Sequence, residues 1–189
     1  MPHANTIPPL VRVWVATLAE ADLAFRAWLD DQELERYGQF QAEADRARFL
    51  LGAAMLRSAA GSELGVPPRA VTVDRGCDTC GRWHGRPVVP GTRLALSVSH
   101  GGLVVVLALA LDGPVGVDVE RVDGRPLADV RSWTSAEARF KAGSGLPLRV
   151  QELTAPVPGH VLTLAAPPGA SVQVLPAAGL LTGPPIIAP

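Results

Sequence analysis

The stretch Leu103-Val104-Val105-Val106-Leu107-Ala108-Leu109-Ala110-Leu111-Asp112-Gly113-Pro114-Val115-Gly116-Val117-Asp118-Val119-Glu120 decides the fold. Its first part is a continuous apolar run bounded by turn residues, which reads as a buried strand. Asp112-Gly113 between two apolar runs predicts a hairpin turn. The run that follows ends in Asp118 and Glu120, and residues two apart on a strand point to one face. The same few residues therefore supply a core strand, a boundary between two halves and a pair of acids on one surface.

Upstream, Leu94 to Val98 reads as a strand and Asp74 to Pro90 as a polar loop holding both cysteines. Ala70 to Val73 reads as a short strand. A helix is predicted from about Ala42 to Leu64, with Phe49, Leu50, Ala53, Ala54 and Leu56 as its apolar stripe. Gly65 and Pro67-Pro68 end it. Leu18 to Gln39, rich in Ala, Leu, Glu and Arg, reads as helix, and Val11 to Val15 as an opening strand. Downstream, Arg121 to Arg131 reads as loop. Ser135 to Ala142 reads as a short helix stopped by Gly143 and Gly145, and His160 to Leu164 and Ser171 to Leu175 as weak strands. The prediction is an α+β chain with an N-terminal half over 1–112, a C-terminal half over 113–175 and a disordered, uncharged tail over 176–189.

Composition limits the function classes. The chain has 189 residues, 48% of them hydrophobic, enough for a real core. Its 17 Lys and Arg against 18 Asp and Glu leave a net charge of −1, which argues against a nucleic-acid partner read from bulk charge. The opening MPHANTIPPL has no basic region followed by an apolar one, and no apolar run is long enough to span a bilayer, so neither a signal peptide nor a membrane span is expected. Two cysteines, three residues apart, do not make a disulfide framework, and a reducing cytoplasm is the expected location. The Ala-, Arg-, Gly- and Pro-rich composition suggests a bacterial source.

Several residue groups have the chemistry for a site. Asp118 and Glu120 on one strand face repel each other, and a divalent cation such as Mg²⁺ relieves that repulsion; a strand end emerging into water does so equally. Glu137 and Lys141, four apart on a helix, share a face and suit proton transfer. They also suit an ordinary surface ion pair, and Thr134-x-x-Glu137 reads as a capping box. Ser97-Val98-Ser99-His100-Gly101-Gly102 follows a strand with small residues that let backbone approach a ligand, so Ser99 and His100 suit a phosphate, although a polar turn explains them too. No GxSxG elbow is present, so a hydrolase triad is not indicated. Cys77-x-x-Cys80-x-x-x-His84 has soft ligands at zinc spacing but no fourth ligand in the sequence, and two reduced thiols in a loop is the simpler reading. Arg36, Arg46, Arg48, Arg57, Arg75, Arg82 and Arg86 form a basic set suited to phosphate, most of it expected on the solvated surface. Arg86, fixed between Gly85 and Pro87, stands out.

Taken in order, these segments resemble the motifs of Sfp-type 4′-phosphopantetheinyl transferases. Arg48-Phe49 leading into Leu51-Gly52-x-x-x-Leu56-Arg57 resembles the first helix motif of that family. The segment from Cys77 to Pro87 is similar to its CxxCGxxHGKP loop, with Arg86 in place of Lys. Ser97 to Gly102 resembles its SxSHS/G motif, and Val115 to Glu120 its metal motif. Trp133 to Leu146 resembles WxxKEAxxKxxGxGL, with Ala136 at the first Lys. The segment from Arg121 to Ser132 is shorter than the family's, which carries an additional helix there.

The resemblance implies two pseudo-symmetric α/β halves, the second shortened, with coenzyme A bound between them. It implies transfer of phosphopantetheine to a serine of an acyl, aryl or peptidyl carrier protein, as in polyketide or nonribosomal peptide biosynthesis. By the same resemblance Asp118, Glu120 and Glu137 hold Mg²⁺, and Glu137 is the base for the carrier serine. Lys141 assists the departing 3′,5′-ADP, and Arg86, Ser99 and His100, with Arg48, grip its phosphates. The alternative is a remodelled relative that binds coenzyme A or a carrier protein without transferase activity, or runs another reaction in the same cleft.

Overall fold

In strand β1 (Leu10–Thr17) Val11 and Val13 face one way and Trp14 and Ala16 the other, and all four are buried. β5 (Val104–Leu111) repeats this, with Val104, Val106 and Ala108 on one face and Val105, Leu107 and Leu109 on the other. Strands buried on both faces must lie between two other layers. The computed structural model, which describes residues 9–77, 79–143 and 147–182, shows both layers.

A first sheet has the order β4 (Leu94–Gly101), β5, β1, β9 (Ser171–Pro176). β1 pairs antiparallel with β5 and parallel with β9. α2 (Glu43–Leu64) covers one face, where Leu50, Leu51, Met55 and Leu56 meet Trp14, Val105, Leu107 and Leu109. The opposite face, Val11, Val13, Val104 and Val106, meets a second sheet through Val117, Val119, Leu162 and Leu164. That sheet has the order β6 (Gly116–Arg121), β8 (His160–Ala166), β7 (Arg149–Leu153), all antiparallel. α3 (Leu127–Ala142) closes it from outside through Ala138 and Ala142 against Ala165. The result is helix on sheet on sheet on helix, and the mixed α+β class expected from the sequence holds. No helix among the described residues is long and apolar enough to cross a membrane.

α3 can approach β6 so closely because residue 116 is glycine. A Cβ there would overlap the carbonyl oxygen of Ala138 and lie 2.5 Å from the nitrogen of Ala142. α2 ends as predicted, at Gly65 in the left-handed conformation with φ 67°.

Several expected elements differ. The helix over Leu18 to Gln39 is broken into two 3-10 turns, Leu18–Glu20 and Leu23–Trp28, and α1 (Asp31–Gln39). The breaks fall at Asp22 and Asp30, whose carboxylates accept the Ala24 and Glu33 N–H groups and so start new helical turns. Ala70 to Val73 forms no strand; Pro68–Ala70 is a 3-10 turn. The polar loop from Asp74 to Pro90 is instead a hairpin of β2 (Asp74–Gly76) and β3 (Trp83–Val88).

Asp112-Gly113 does not close a hairpin. Both edges of β5 are already occupied, by β4 and β1, and Pro114 has no N–H to offer a ladder, so the chain crosses to the second sheet. Arg121 to Arg131 is not all loop, since α3 starts at Leu127 behind Pro126. Thr134 is therefore inside a helix rather than at a capping box, and its hydroxyl donates to Arg131 O at 3.2 Å and pairs with Thr163 at 2.9 Å. β7 was not foreseen. β9, grouped by the sequence reading with the second half, lies in the first sheet beside β1. Of the supposed tail, Ala178–Leu181 is a helical turn, α4, seated on the α2 core through Leu180 and Leu181. Residues 183–189, and Gly145 and Leu146 of the last motif, lie outside the described residues.

Candidate functional site

The two sheets meet along the edges of β4 and β6, and side chains join them. Val117 N–H donates to Ser97 Oγ at 3.0 Å and Val119 N–H to Ser99 Oγ at 3.2 Å. The serines of β4 thus take the hydrogen bonds that a neighbouring strand would otherwise accept from β6. With Val117 and Val119 turned into the core, Asp118 and Glu120 face the other way, toward α3. A cleft of about 360 Å³ opens there, between α2, β2, β4, β6 and α3.

Most of the sequence-derived candidates line this one cleft: Arg48, Ser99, His100, Asp118, Glu120, Glu137 and Lys141. Lys141 Nζ donates to Asp118 Oδ1 at 2.6 Å, to Ser99 Oγ at 3.1 Å and to Val117 O at 3.3 Å. Ser99 Oγ in turn donates to Asp118 Oδ1 at 2.8 Å. Lys141 therefore pairs with Asp118 across the α3–β6 contact, while Glu137, one turn earlier on α3, carries no comparable partner among the described residues. Glu120 Oε2 accepts from Arg125 at 2.9 Å. Arg48 Nε donates to Gly102 O at 2.8 Å, which fixes its guanidinium beside the β4–β5 turn.

Arg86 is placed elsewhere. Its guanidinium donates to Lys141 O and Ala142 O at 3.1 and 3.2 Å, the last carbonyls of α3, and it is not among the residues lining the cleft. A cation there meets the negative end of the helix dipole, and it anchors the helix that carries Glu137 and Lys141. Arg75 was counted only among the general basic residues, yet it lines the cleft from β2. Its Nε is buried without a partner, burial pulls its pKa down, and the guanidinium lies over the Trp83 ring at 5.6 Å. Nothing in its sequence surroundings separates it from the other arginines. Phe49 and Trp133 supply apolar wall, Trp133 being 54% exposed.

Asp118 Oδ2 is buried and has no hydrogen-bond partner among the described residues. An unpaired anionic oxygen in such a position is costly unless a cation or proton reaches it. Together with Glu120 on the same strand face and Glu137 opposite, this is a hard-oxygen donor set that fits Mg²⁺, which commonly takes one or two carboxylates and completes its shell with water and phosphate oxygens. The three carboxylates are not gathered to a common ligand distance. Among the described residues the metal-capable group drawn that close is Cys77, Cys80 and His84.

The His100 side chain lines the cleft, and its pKa lies below the ordinary histidine value, first through partial burial of the ring by the surrounding protein and then through the charges of Arg48 and Lys141. The sign follows. A base whose folded pKa is depressed costs no stability above its ordinary pKa and destabilises as pH falls from there through the folded value. An anionic phosphate bound beside the ring opposes the shift, since it favours the charged imidazolium. Titration of His100 by NMR is therefore expected to give a midpoint below the ordinary value without ligand and a higher one with inorganic pyrophosphate bound. An unmoved midpoint in saturating pyrophosphate removes His100 as a phosphate-binding candidate.

An acid-lined cleft bordered by arginines and a lysine has the charge pattern of a site for phosphoryl chemistry. The chain is similar to a phosphopantetheinyl transferase. The relative is 4′-phosphopantetheinyl transferase HetI of Nostoc sp., 29% identical over 139 residues, an alignment that covers 69% of this chain and 55% of that protein. The chain thus spans about half the length of the curated relative it matches. No protein-family model matches the chain. At the coarse level this similarity supports a transferase, and it extends no further than the phosphopantetheinyl transferase superfamily.

Proposed function

We propose that this chain is a Mg²⁺-dependent 4′-phosphopantetheinyl transferase, moving phosphopantetheine from coenzyme A to a serine of an acyl, aryl or peptidyl carrier protein. The observation that carries the reading is the single cleft in which Asp118 and Glu120 of β6 face Glu137 and Lys141 of α3, with Arg48, Arg75 and His100 also lining it. The carrier serine oxygen attacks the pyrophosphate phosphorus next to the pantetheine. A new P–O bond forms, the bridging P–O bond breaks, and 3′,5′-ADP leaves with the electron pair. Glu137, which has no pairing cation among the described residues, is the group to take the serine proton. Lys141 would balance the charge that grows on the departing phosphate, and Arg48, Arg75 and His100, which line the same cleft, would hold the phosphates in line. Asp118 and Glu120, with Glu137, would hold Mg²⁺, which supplies charge neutralisation at the pyrophosphate oxygens. On this reading coenzyme A and carrier proteins as substrates would place the work in the cytoplasm.

A second reading, a relative that binds coenzyme A or a carrier without transferring the group, draws on two contacts. Lys141 is engaged by Asp118, and Glu120 by Arg125 of the short segment before α3. Incubation with coenzyme A, Mg²⁺ and a panel of apo carrier proteins decides between them, read by the mass of the carrier. The expected result is the gain of one phosphopantetheine, absent without Mg²⁺ and in Glu137→Ala. Coenzyme A binding by calorimetry with no mass gain on any carrier gives the second reading.

A further inference from the structure

Cys77, Cys80 and His84 lie at the turn of the β2–β3 hairpin, outside the cleft. One ligand atom from each lies within 4.8 Å of the other two, and Cys80 Sγ is 3.0 Å from His84 Nε2. Both thiols are free. The backbone imposes this convergence. Gly81, with φ 68°, turns the chain directly after Cys80 and donates its N–H to Cys77 O at 2.7 Å, while Cys77 N–H donates to Arg82 O at 2.9 Å. The turn brings the two thiols to one side, and β3 returns His84 to the same place.

The geometry points to a transition-metal site here, a Cys₂His site for Zn²⁺ with its fourth position open to a small exogenous donor. Two thiolates and an imidazole are the donors zinc favours, and they do not suit Mg²⁺ or Ca²⁺. Zinc bonds of about 2.3 Å to sulfur and 2.0–2.1 Å to nitrogen set tetrahedral ligand atoms roughly 3.5–3.8 Å apart. The cluster is within about an ångström of that spacing, which side-chain rotation covers. The sequence reading favours two reduced thiols for want of a fourth protein ligand, yet three protein ligands with water in the fourth position is a coordination zinc takes in catalytic sites.

The site has a structural consequence for the cleft. β2 has three residues and its pairing with β3 is irregular between Asp74 and Gly76, too little to hold a hairpin alone. The same hairpin carries Arg75 into the cleft and Arg86 onto the end of α3. A metal at its turn fixes both.

The test uses the reduced full chain, stripped with a chelator and titrated with Co²⁺. The expected result is thiolate-to-cobalt charge transfer and tetrahedral visible bands saturating at one ion per chain, then displacement by Zn²⁺. Cys77→Ser, Cys80→Ser and His84→Ala, judged folded by circular dichroism, are each expected to weaken Zn²⁺ binding by more than the roughly 10–100-fold cost of losing a supporting group. Absence of the charge-transfer bands in the unmodified chain overturns the site without recourse to any variant. Zn²⁺ affinity unchanged in the variants also overturns it, as does a Cys77–Cys80 disulfide that persists under reducing conditions.

Discussion

Asp118→Asn is expected to lower the rate of carrier modification at least about 10³-fold while leaving coenzyme A binding within several-fold of the unmodified chain. The substitution keeps shape and removes one negative charge. That charge is the buried partner of Lys141 at 2.6 Å and the acceptor of the Ser99 hydroxyl at 2.8 Å, and its second oxygen is the unpaired one. A thousandfold loss corresponds to about 4 kcal/mol at the transition state, the range observed when one preorganised electrostatic contact is removed. The loss is expected in kcat rather than KM, because the carboxylate acts through the cations it would hold in place, Lys141 and Mg²⁺, and these are needed most as negative charge grows on the leaving group. Rates measured across a Mg²⁺ series also report the metal role: the variant is expected to need much more Mg²⁺, or not to respond at all. Full turnover with an unaltered Mg²⁺ dependence removes Asp118 from the reaction. A thermal melt accompanies the assay, since Lys141, with 27% of its side chain exposed, can regain water when its partner is lost.

Asp118 also shows how much of the site could be read in the sequence. Its two-residue spacing from Glu120 and the four-residue spacing of Glu137 and Lys141 are local periodicities, and each pair does share a face. That the two faces meet depends on Gly116 letting α3 down onto β6, which is a fact of packing. The Lys141–Asp118 pair and the use of Ser97 and Ser99 to hold β6 follow from that contact and leave no periodic trace. Arg75 shows the same limit. It enters the cleft because Asp74 to Val88 is a hairpin, and that hairpin is built of Arg, His, Gly, Trp and Pro rather than of alternating apolar residues, so no strand signal marks it. Conversely β1, β5, β6 and α2 were legible because burial fixed their patterns. The Asp112-Gly113 turn was misread for a tertiary reason, the prior occupation of both edges of β5. The break of the first helix was misread for a local one, since Asp22 and Asp30 act as caps in a stretch of otherwise good helix formers.

Arg57→Ala is expected to destabilise the fold by about 3–5 kcal/mol, the usual cost of removing one member of a buried ion pair. The sequence reading counts Arg57 in a basic set expected mostly on the solvated surface, but it is 1% exposed in the middle of α2. Its Nε donates to Glu33 Oε2 at 2.6 Å, another nitrogen pairs with Asp30, and a third donates to Val71 O at 2.7 Å. It thereby ties α1 and the turn after Pro68 to the helix that lines the cleft. Glu33 is 0% exposed, and burial already raises its pKa despite the opposing pull of Arg57. Without Arg57 that opposing pull is gone and the pKa rises further. A carboxyl whose folded pKa lies above its unfolded one is destabilising once pH exceeds the unfolded value, because ionising it in place is then what folding requires. The penalty of Arg57→Ala is therefore expected to be greatest near neutral pH and to shrink as pH falls toward the ordinary Glu range. At 2–4 °C per kcal/mol for a chain of this size, the melting temperature is expected to drop roughly 6–20 °C at pH 7. Arg57→Met combined with Glu33→Met, which removes both charges, is expected to recover much of that loss. A loss below about 1 kcal/mol at pH 7, or one that grows on acidification, would show that Glu33 does not depend on Arg57.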